Sequence, residues 1–190
     1  SATAVTPATT EYVYDSTAKT PKVTVTDGGA ELEEGIDYTV SFSNNISAGT
    51  ATITVTGTGN YSGSATATFE IQGLSLADAT VAAADQDYTG SALTPEVMVT
   101  LDGRTMEKGT EYTVSYANNT DAGEAMVTVT GAGNYAGTAT GTFQIRPISL
   151  ADAEVDPIPS STYTGSEITP TLTVKLGDRT LKAGTDYTAV

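Results

Sequence analysis

The chain has 190 residues, 23 acidic and 8 basic, for a net charge of -15, and it contains no Cys, His or Trp. The missing Cys and His exclude thiol nucleophiles, histidine triads, disulfides and most zinc or copper sites. A pI near 4.1 argues against nucleic acid, because phosphate binding needs Lys and Arg to displace counterions. No run of about 18 apolar residues is present, so no membrane insertion is expected of this segment, and no signal peptide is recognisable at its N-terminus.

Acidity does not imply disorder here. About one residue in five is Thr, and the apolar residues are mostly Val, Ile, Ala and Tyr. Branching at Cβ restricts χ1 and favours strands, so the class is all-β. In chain order, period-2 alternation predicts strands over Lys22 to Thr26, Tyr38 to Phe42, Ala51 to Thr56 and Thr66 to Ile71. It predicts a second set over Glu96 to Leu101, Tyr112 to Tyr116, Ala125 to Thr130 and Thr138 to Ile145. Asp102-Gly103, Asn118-Asn119 and Ala122-Gly123 carry turn chemistry at the strand ends.

The two sets are copies. Pro21 recurs as Pro95 and Pro170, at offsets of 74 and 75, and Asp37-Tyr38-Thr39 recurs as Glu111-Tyr112-Thr113 and Asp186-Tyr187-Thr188. Asn44-Asn45 returns as Asn118-Asn119, Gly57-Thr58-Gly59-Asn60-Tyr61 as Gly131-Ala132-Gly133-Asn134-Tyr135, and Leu76-Ala77-Asp78-Ala79 as Leu150-Ala151-Asp152-Ala153. The organisation is therefore repeat 1 over residues 1–73, repeat 2 over 74–148 and the first part of a third repeat over 149–190. The third copy stops at Val190, just inside a strand expected to begin at Tyr187, and lacks counterparts of Ala125 to Thr130 and Thr138 to Ile145. Either the natural array continues, or the open sheet pairs with another chain.

Strands with one wet and one dry face must pack as two layers. Roughly seven short strands in about 74 residues predict a small β-sandwich of immunoglobulin-like architecture. Gln72 to Ser75 and Arg146-Pro147 are connections too short to act as loose tethers, so the repeats are expected to stack end to end as an elongated rod.

The combination of Tyr88-Thr89-Gly90, Pro95, Glu111-Tyr112-Thr113, Asn118-Asn119, Ala122-Gly123, Gly131-x-Gly133-Asn134-Tyr135 and Thr142-Phe143-x-Ile145 resembles the immunoglobulin-like MBG/YDG modules. Such modules stand in tandem in bacterial cell-surface and secreted proteins. Their opening Tyr-Asp-Gly appears here as Tyr14-Asp15-Ser16, Tyr88-Thr89-Gly90 and Tyr163-Thr164-Gly165. The resemblance implies a non-catalytic stalk or spacer of an adhesin-like, cell-wall-associated protein, outside the cytoplasm, with adjacent repeats as partners and no cofactor.

Two other readings are open: a module recognising a host or cell-wall glycan or protein, and accessory domains of a secreted hydrolase. A binder would use the Gly-flanked turn, making Asn60, Tyr61, Asn134 and Tyr135 the candidate ligand contacts. The structural reading is that these tyrosines, with Tyr12, Tyr14, Tyr88 and Tyr163, fill the end of the sandwich while their hydroxyls bond backbone. Glu31, Glu33, Glu34 and Asp37, and separately Asp78, Asp85 and Asp87, raise calcium, but EF-hand spacing is absent and a solvated acidic face is expected. Lys19 and Lys22 in the first copy and Lys108 in the second do not correspond, so a Lys–Asn cross-link in both copies is not expected. A glycosidase would need two carboxylates flanking a cleft, for which a module of about 74 residues has little room.

Overall fold

The computed structural model describes residues 3–189, and its strands follow the Val/Thr alternation. Among the described residues, repeat 1 holds β1 (Thr3–Pro7), β2 (Glu11–Val13), β3 (Val23–Asp27), β4 (Ala30–Glu31), β5 (Tyr38–Ser43), β6 (Gly49–Gly57) and β7 (Ser64–Gln72). Repeat 2 holds β8 (Leu74–Ser75), β9 (Thr80–Ala83), β10 (Gln86–Asp87), β11 (Val97–Leu101), β12 (Arg104–Thr105), β13 (Tyr112–Ala117), β14 (Gly123–Gly131), β15 (Tyr135–Ala136) and β16 (Thr138–Arg146). No described residue is helical.

Each repeat builds the same two sheets. One has the order β1-β3-β4, repeated as β9-β11-β12, and the other β2-β7-β6-β5, repeated as β10-β16-β14-β13. The long strands are antiparallel, whereas the short β2 and β10 run parallel to β7 and β16. Register is copied too: Tyr38 faces Gly57 and Ala51 faces Phe69, as Tyr112 faces Gly131 and Ala125 faces Phe143. The hairpins β3–β4 and β11–β12 turn on Gly28-Gly29 and Asp102-Gly103. Their φ angles of 60°, 90°, 50° and 78° are the left-handed pair that a two-residue turn matched to strand twist requires.

Alternation places the core. Ala51, Ile53 and Val55 of β6 and Phe69 and Ile71 of β7 are buried against Val23 and Val25 of β3 from the other sheet. Ala125, Val127, Val129, Phe143, Ile145, Val97 and Val99 repeat the cluster in the second copy, each 74 residues later. Burying one Val or Ile side chain stabilises by about 1.5–3 kcal/mol, so these alternating positions supply most of the drive to fold. Tyr38 and Tyr112 are also buried, and their hydroxyls cross to the opposite sheet, donating to the carbonyls of Val23 (3.4 Å) and Val97 (3.2 Å).

Residues 1–146 make one compact unit and residues 147–190 a second. The second holds β17 (Glu154–Val155), β18 (Val174–Leu176) and β19 (Arg179–Leu181), paired in that order. Val174 and Leu181 are buried, and the Tyr187 hydroxyl donates to the Leu172 carbonyl (3.2 Å), as its counterparts do. The strand expected from Tyr187 is not formed: Tyr187 makes an isolated bridge to Ala183, and residues 188–189 are irregular. Among the described residues no strand pairs with this segment as β14 pairs with β13. Val190 itself lies outside the described residues. Leu150 is 44% exposed where its counterpart Leu76 is fully buried.

Because each core is drawn from its own repeat, damage to one should stay there. Ile53→Ala is expected to destabilise repeat 1 by about 2–5 kcal/mol. Hydrogen exchange should show protection falling over β5, β6 and β7 while β13, β14 and β16 hold. Equal loss in both repeats would contradict separate cores.

Candidate functional site

The Gly-x-Gly-Asn-Tyr turn has one backbone in both repeats. Gly57 N–H donates to Gly63 and Tyr61 N–H to Thr58, both at 3.0 Å; Gly131 N–H donates to Gly137 (2.9 Å) and Tyr135 N–H to Ala132 (3.1 Å). The turn folds so tightly that a Cβ on Gly131 would lie 2.7 Å from Tyr135 and Ala136 backbone, and one on Gly57 2.8 Å from Ser62 nitrogen. The chain anchors it from below, since Thr58 N–H donates to Asp37 carbonyl (2.8 Å) and Ala132 N–H to Glu111 carbonyl (2.9 Å).

The side chains fare differently. Asn60 and Tyr61 are exposed. Asn134 and Tyr135 are half-buried at the boundary with repeat 1. The Asn134 side-chain oxygen accepts the Ala48 N–H of repeat 1 at 2.9 Å, and its carbonyl accepts the N–H of Leu74 at 2.9 Å. The Tyr135 ring meets Tyr14 of repeat 1 edge-on, centroids 5.9 Å apart at 74°. Strand β8, the connection itself, pairs in parallel with β15, placing Leu74 beside Tyr135 and Ser75 beside Ala136. The linker is thus hydrogen-bonded along the turn of the repeat it introduces.

Arg104, which the sequence reading did not single out, completes the cluster. Its guanidinium donates to both carboxylate oxygens of Glu111, at 2.8 and 3.0 Å, and to the Tyr135 hydroxyl. It also lies 5.7 Å from the Tyr135 ring centre. Such a two-pronged pair fixes orientation as well as charge. Glu111 further accepts the Glu107 N–H at 2.7 Å. The Arg104 hydrogen bonds, ahead of that backbone bond, hold the Glu111 carboxyl below its ordinary value despite partial burial. Tyr135 is pushed up, first by burial and then by its contact with Glu111.

A signal for this pair was present: an Arg seven residues before the acid of the acid-Tyr-Thr triplet. It recurs as Arg179 and Asp186, 3.7 Å apart, whereas repeat 1 has Ala30 before Asp37. The acid's backbone bond is common to all three copies: Asp37 accepts Glu33 N–H (2.9 Å) and Asp186 accepts Lys182 N–H (2.8 Å).

The expectation that the turn tyrosines bond backbone through their hydroxyls is corrected. That role belongs to Tyr38 on β5 and Tyr112 on β13, which face the core, and to Tyr187 at the equivalent place in the third copy, whereas Tyr135 points along the repeat boundary toward Arg104.

The acidic candidates are dispersed. Among the described residues no three carboxylates gather as a metal site. Asp85 accepts Gln144 N–H (3.0 Å) and pairs with Arg146 (3.1 Å), and Asp87 lies 3.6 Å from Arg146, so these acids tie β10 to the end of β16. Lys19 is buried where repeat 2 has Leu93, with its ammonium on Asp15 and on Thr17 Oγ1 (3.0 Å). The Lys19 bond holds Asp15 well below the carboxylate range. The Asn45 amide donates to the Lys19 carbonyl (2.9 Å), as Asn119 does to that of Leu93 (2.8 Å), so each Asn is a loop brace.

These geometries recur at the spacing of a module, and the comparison with known families locates one. Residues 77–149 match the MBG domain. No curated protein and no solved structure matches the chain. The matched MBG module contains β9 to β16, with Arg104, Glu111 and the Asn134-Tyr135 turn inside it and Ala48 and Tyr14 outside it.

The Arg104–Glu111 pair should make the boundary acid-sensitive. A depressed folded-state pKa gives stabilisation that is complete above the unfolded value of about 4.3 and lost as pH falls through the folded one. Lowering the pH below about 4 is therefore expected to loosen the contact, read as rising hydrogen exchange at Ala48 and Leu74 before the core strands lose protection. Arg104→Ala should loosen it at neutral pH and remove that step. An unchanged acid profile in Arg104→Ala would show that another group titrates.

Proposed function

We propose that the chain is a run of non-catalytic spacer modules, each an immunoglobulin-like β-sandwich, stacked in an extended array that projects another part of a bacterial surface protein. The observation that carries this reading is the fate of the second Asn-Tyr turn. In the MBG module that turn is occupied by the neighbouring repeat, through Asn134 to Ala48 and Tyr135 to Tyr14. A side chain so engaged is unavailable to a ligand but well placed to limit bending between modules. The recurrence of one core at a 74-residue spacing supports growth by duplication, since each module then closes its own core and touches its neighbours. The surface location rests on the likeness to tandem MBG modules, and the high negative charge suits a soluble array that resists self-association.

One observation favours a binding role. Tyr61 of repeat 1 is 37% exposed and borders a cavity of about 160 Å³ also lined by Leu32, Tyr38 and Ser64. Small-ligand pockets usually run to about 300–1,000 Å³, so this one holds a few waters more readily than a sugar ring.

Two measurements separate the readings. Small-angle scattering is expected to show an extended particle, and interferometry against mucins, matrix proteins, peptidoglycan and purified glycans is expected to be silent. Saturable binding lost on Tyr61→Ala, in a variant that retains its fold, would replace the spacer reading with the binding one.

A further inference from the structure

We propose that the exposed Asn60–Tyr61 turn of repeat 1 is a docking face for another module of this same kind, arriving from the amino-terminal side and presenting a Tyr14-type ring and an Ala48-type backbone N–H. The inference is drawn from the boundary inside residues 1–146 and rests on the reading of the chain as a stacked array of modules.

The boundary has two unlike halves. The giving half, on repeat 1, is the Tyr14 ring and the N–H of Ala48. The receiving half, on repeat 2, is the Asn134-Tyr135 turn on its acidic support, Glu111. Repeat 1 carries the receiving half as well. Its turn has the same hydrogen bonds, Asn60 and Tyr61 occupy the positions of Asn134 and Tyr135, and Asp37 braces Glu33 N–H as Glu111 braces Glu107 N–H. The turn is therefore preformed before anything covers it, so docking requires little ordering. The exposure of Tyr61 is what this assignment requires, because the ring that would stack on it comes from the giving half of the preceding module.

One component differs. Arg104, which clamps Tyr135 from the side, is Ala30 in repeat 1, at the equivalent place in the hairpin after β3. Docking on repeat 1 thus keeps the hydrogen bond to the Asn side chain and the ring contact but lacks the guanidinium, so it should be the looser junction and should tighten when an arginine is supplied.

The test extends the whole chain at its start with a copy of its own residues 1–78 placed ahead of Thr3. This reproduces the spacing at the natural boundary, where Val81 opposite Val99 holds the place of Val5 opposite Val25 and Ala79 therefore that of Thr3. Repeat 1 suits this use because its core is drawn from its own strands. The protein has no cysteine, so pairs can be introduced uniquely for spin labelling. Thr39→Cys in the added copy with Thr39→Cys in repeat 1 reports the new junction, and Thr39→Cys with Thr113→Cys in the unextended chain reports the natural one.

The new pair is expected to give a defined distance close to that of the natural pair. It should broaden when Asn60→Ala and Tyr61→Ala are combined, and narrow with Ala30→Arg. Nitration of Tyr61 by tetranitromethane should slow several-fold in the extended chain. A broad distribution for the new pair with unchanged Tyr61 nitration would overturn the proposal, as would a broad distribution for the natural pair. Insensitivity of a narrow distribution to the Asn60 and Tyr61 substitutions would overturn it too, by showing that the linker alone sets the geometry.

Discussion

The structure depends on what happens to three alternate side chains of one strand. On β6 they are Ala51, Ile53 and Val55, and on β14 Ala125, Val127 and Val129; all six point into a core and are almost fully buried. A strand with neighbours on both sides and an apolar row beneath it cannot slip by one residue without turning threonines inward and valines outward. That penalty fixes the register with β5 and β7, and with β13 and β16. Register in turn places Tyr38 and Tyr112 where their hydroxyls reach the other sheet. Since β6 and β14 end on Gly57 and Gly131, it also fixes where the Asn-Tyr turn projects.

The boundary between the first two repeats works on a different principle. The hydrogen bond from Ala48 N–H to Asn134 and the edge-on Tyr14–Tyr135 ring pair cross it. Within repeat 2 a short parallel pairing and the two-pronged Arg104–Glu111 pair hold the receiving turn in place. The hydrogen bond and the ring pair each contribute about 0.5–1.5 kcal/mol, and the largely exposed, solvent-screened ion pair less, all far below the cores on either side. They act on partners already joined by a connection pinned along one of them, so no association entropy comparable to that of free proteins opposes them. Modest interactions can then hold an orientation that they could not assemble from separate molecules.

Much of this was legible in the sequence, and the limits were physical. The long strands announced themselves because a half-buried strand writes its two faces as alternation, and the duplicated register showed as the 74-residue offset. The edge elements β4, β12, β8 and β15 are two residues each, too short for any period to register. The strands β1 and β9 were also missed: Thr-Ala-Val-Thr-Pro and Thr-Val-Ala-Ala are weakly patterned, and only pairing with β3 and β11 defines them. Of the four candidate contact residues, Asn134 and Tyr135 were found at a boundary and Asn60 and Tyr61 in the open. Identical motifs gave no hint of that split, because it is set by what lies against each turn. The Arg104–Glu111 pair was readable only as a spacing that two copies share and one lacks.

That difference bears on how a duplicated module can be tuned. Core positions tolerate little change, since every copy must close its own two sheets, and the eight residues of the repeat 1 core cluster have apolar or Tyr counterparts at all eight places in repeat 2. The residue seven places before the acid of the acid-Tyr-Thr triplet faces solvent, so exchanging Arg for Ala there leaves the fold alone. What changes is the grip on the turn tyrosine: at Arg104 the ring is held from two sides, and at Ala30 the equivalent ring is left half open. The same fold can therefore present a firm junction or a permissive one through a single exposed side chain, which separates the stiffness of an array from the stability of its modules.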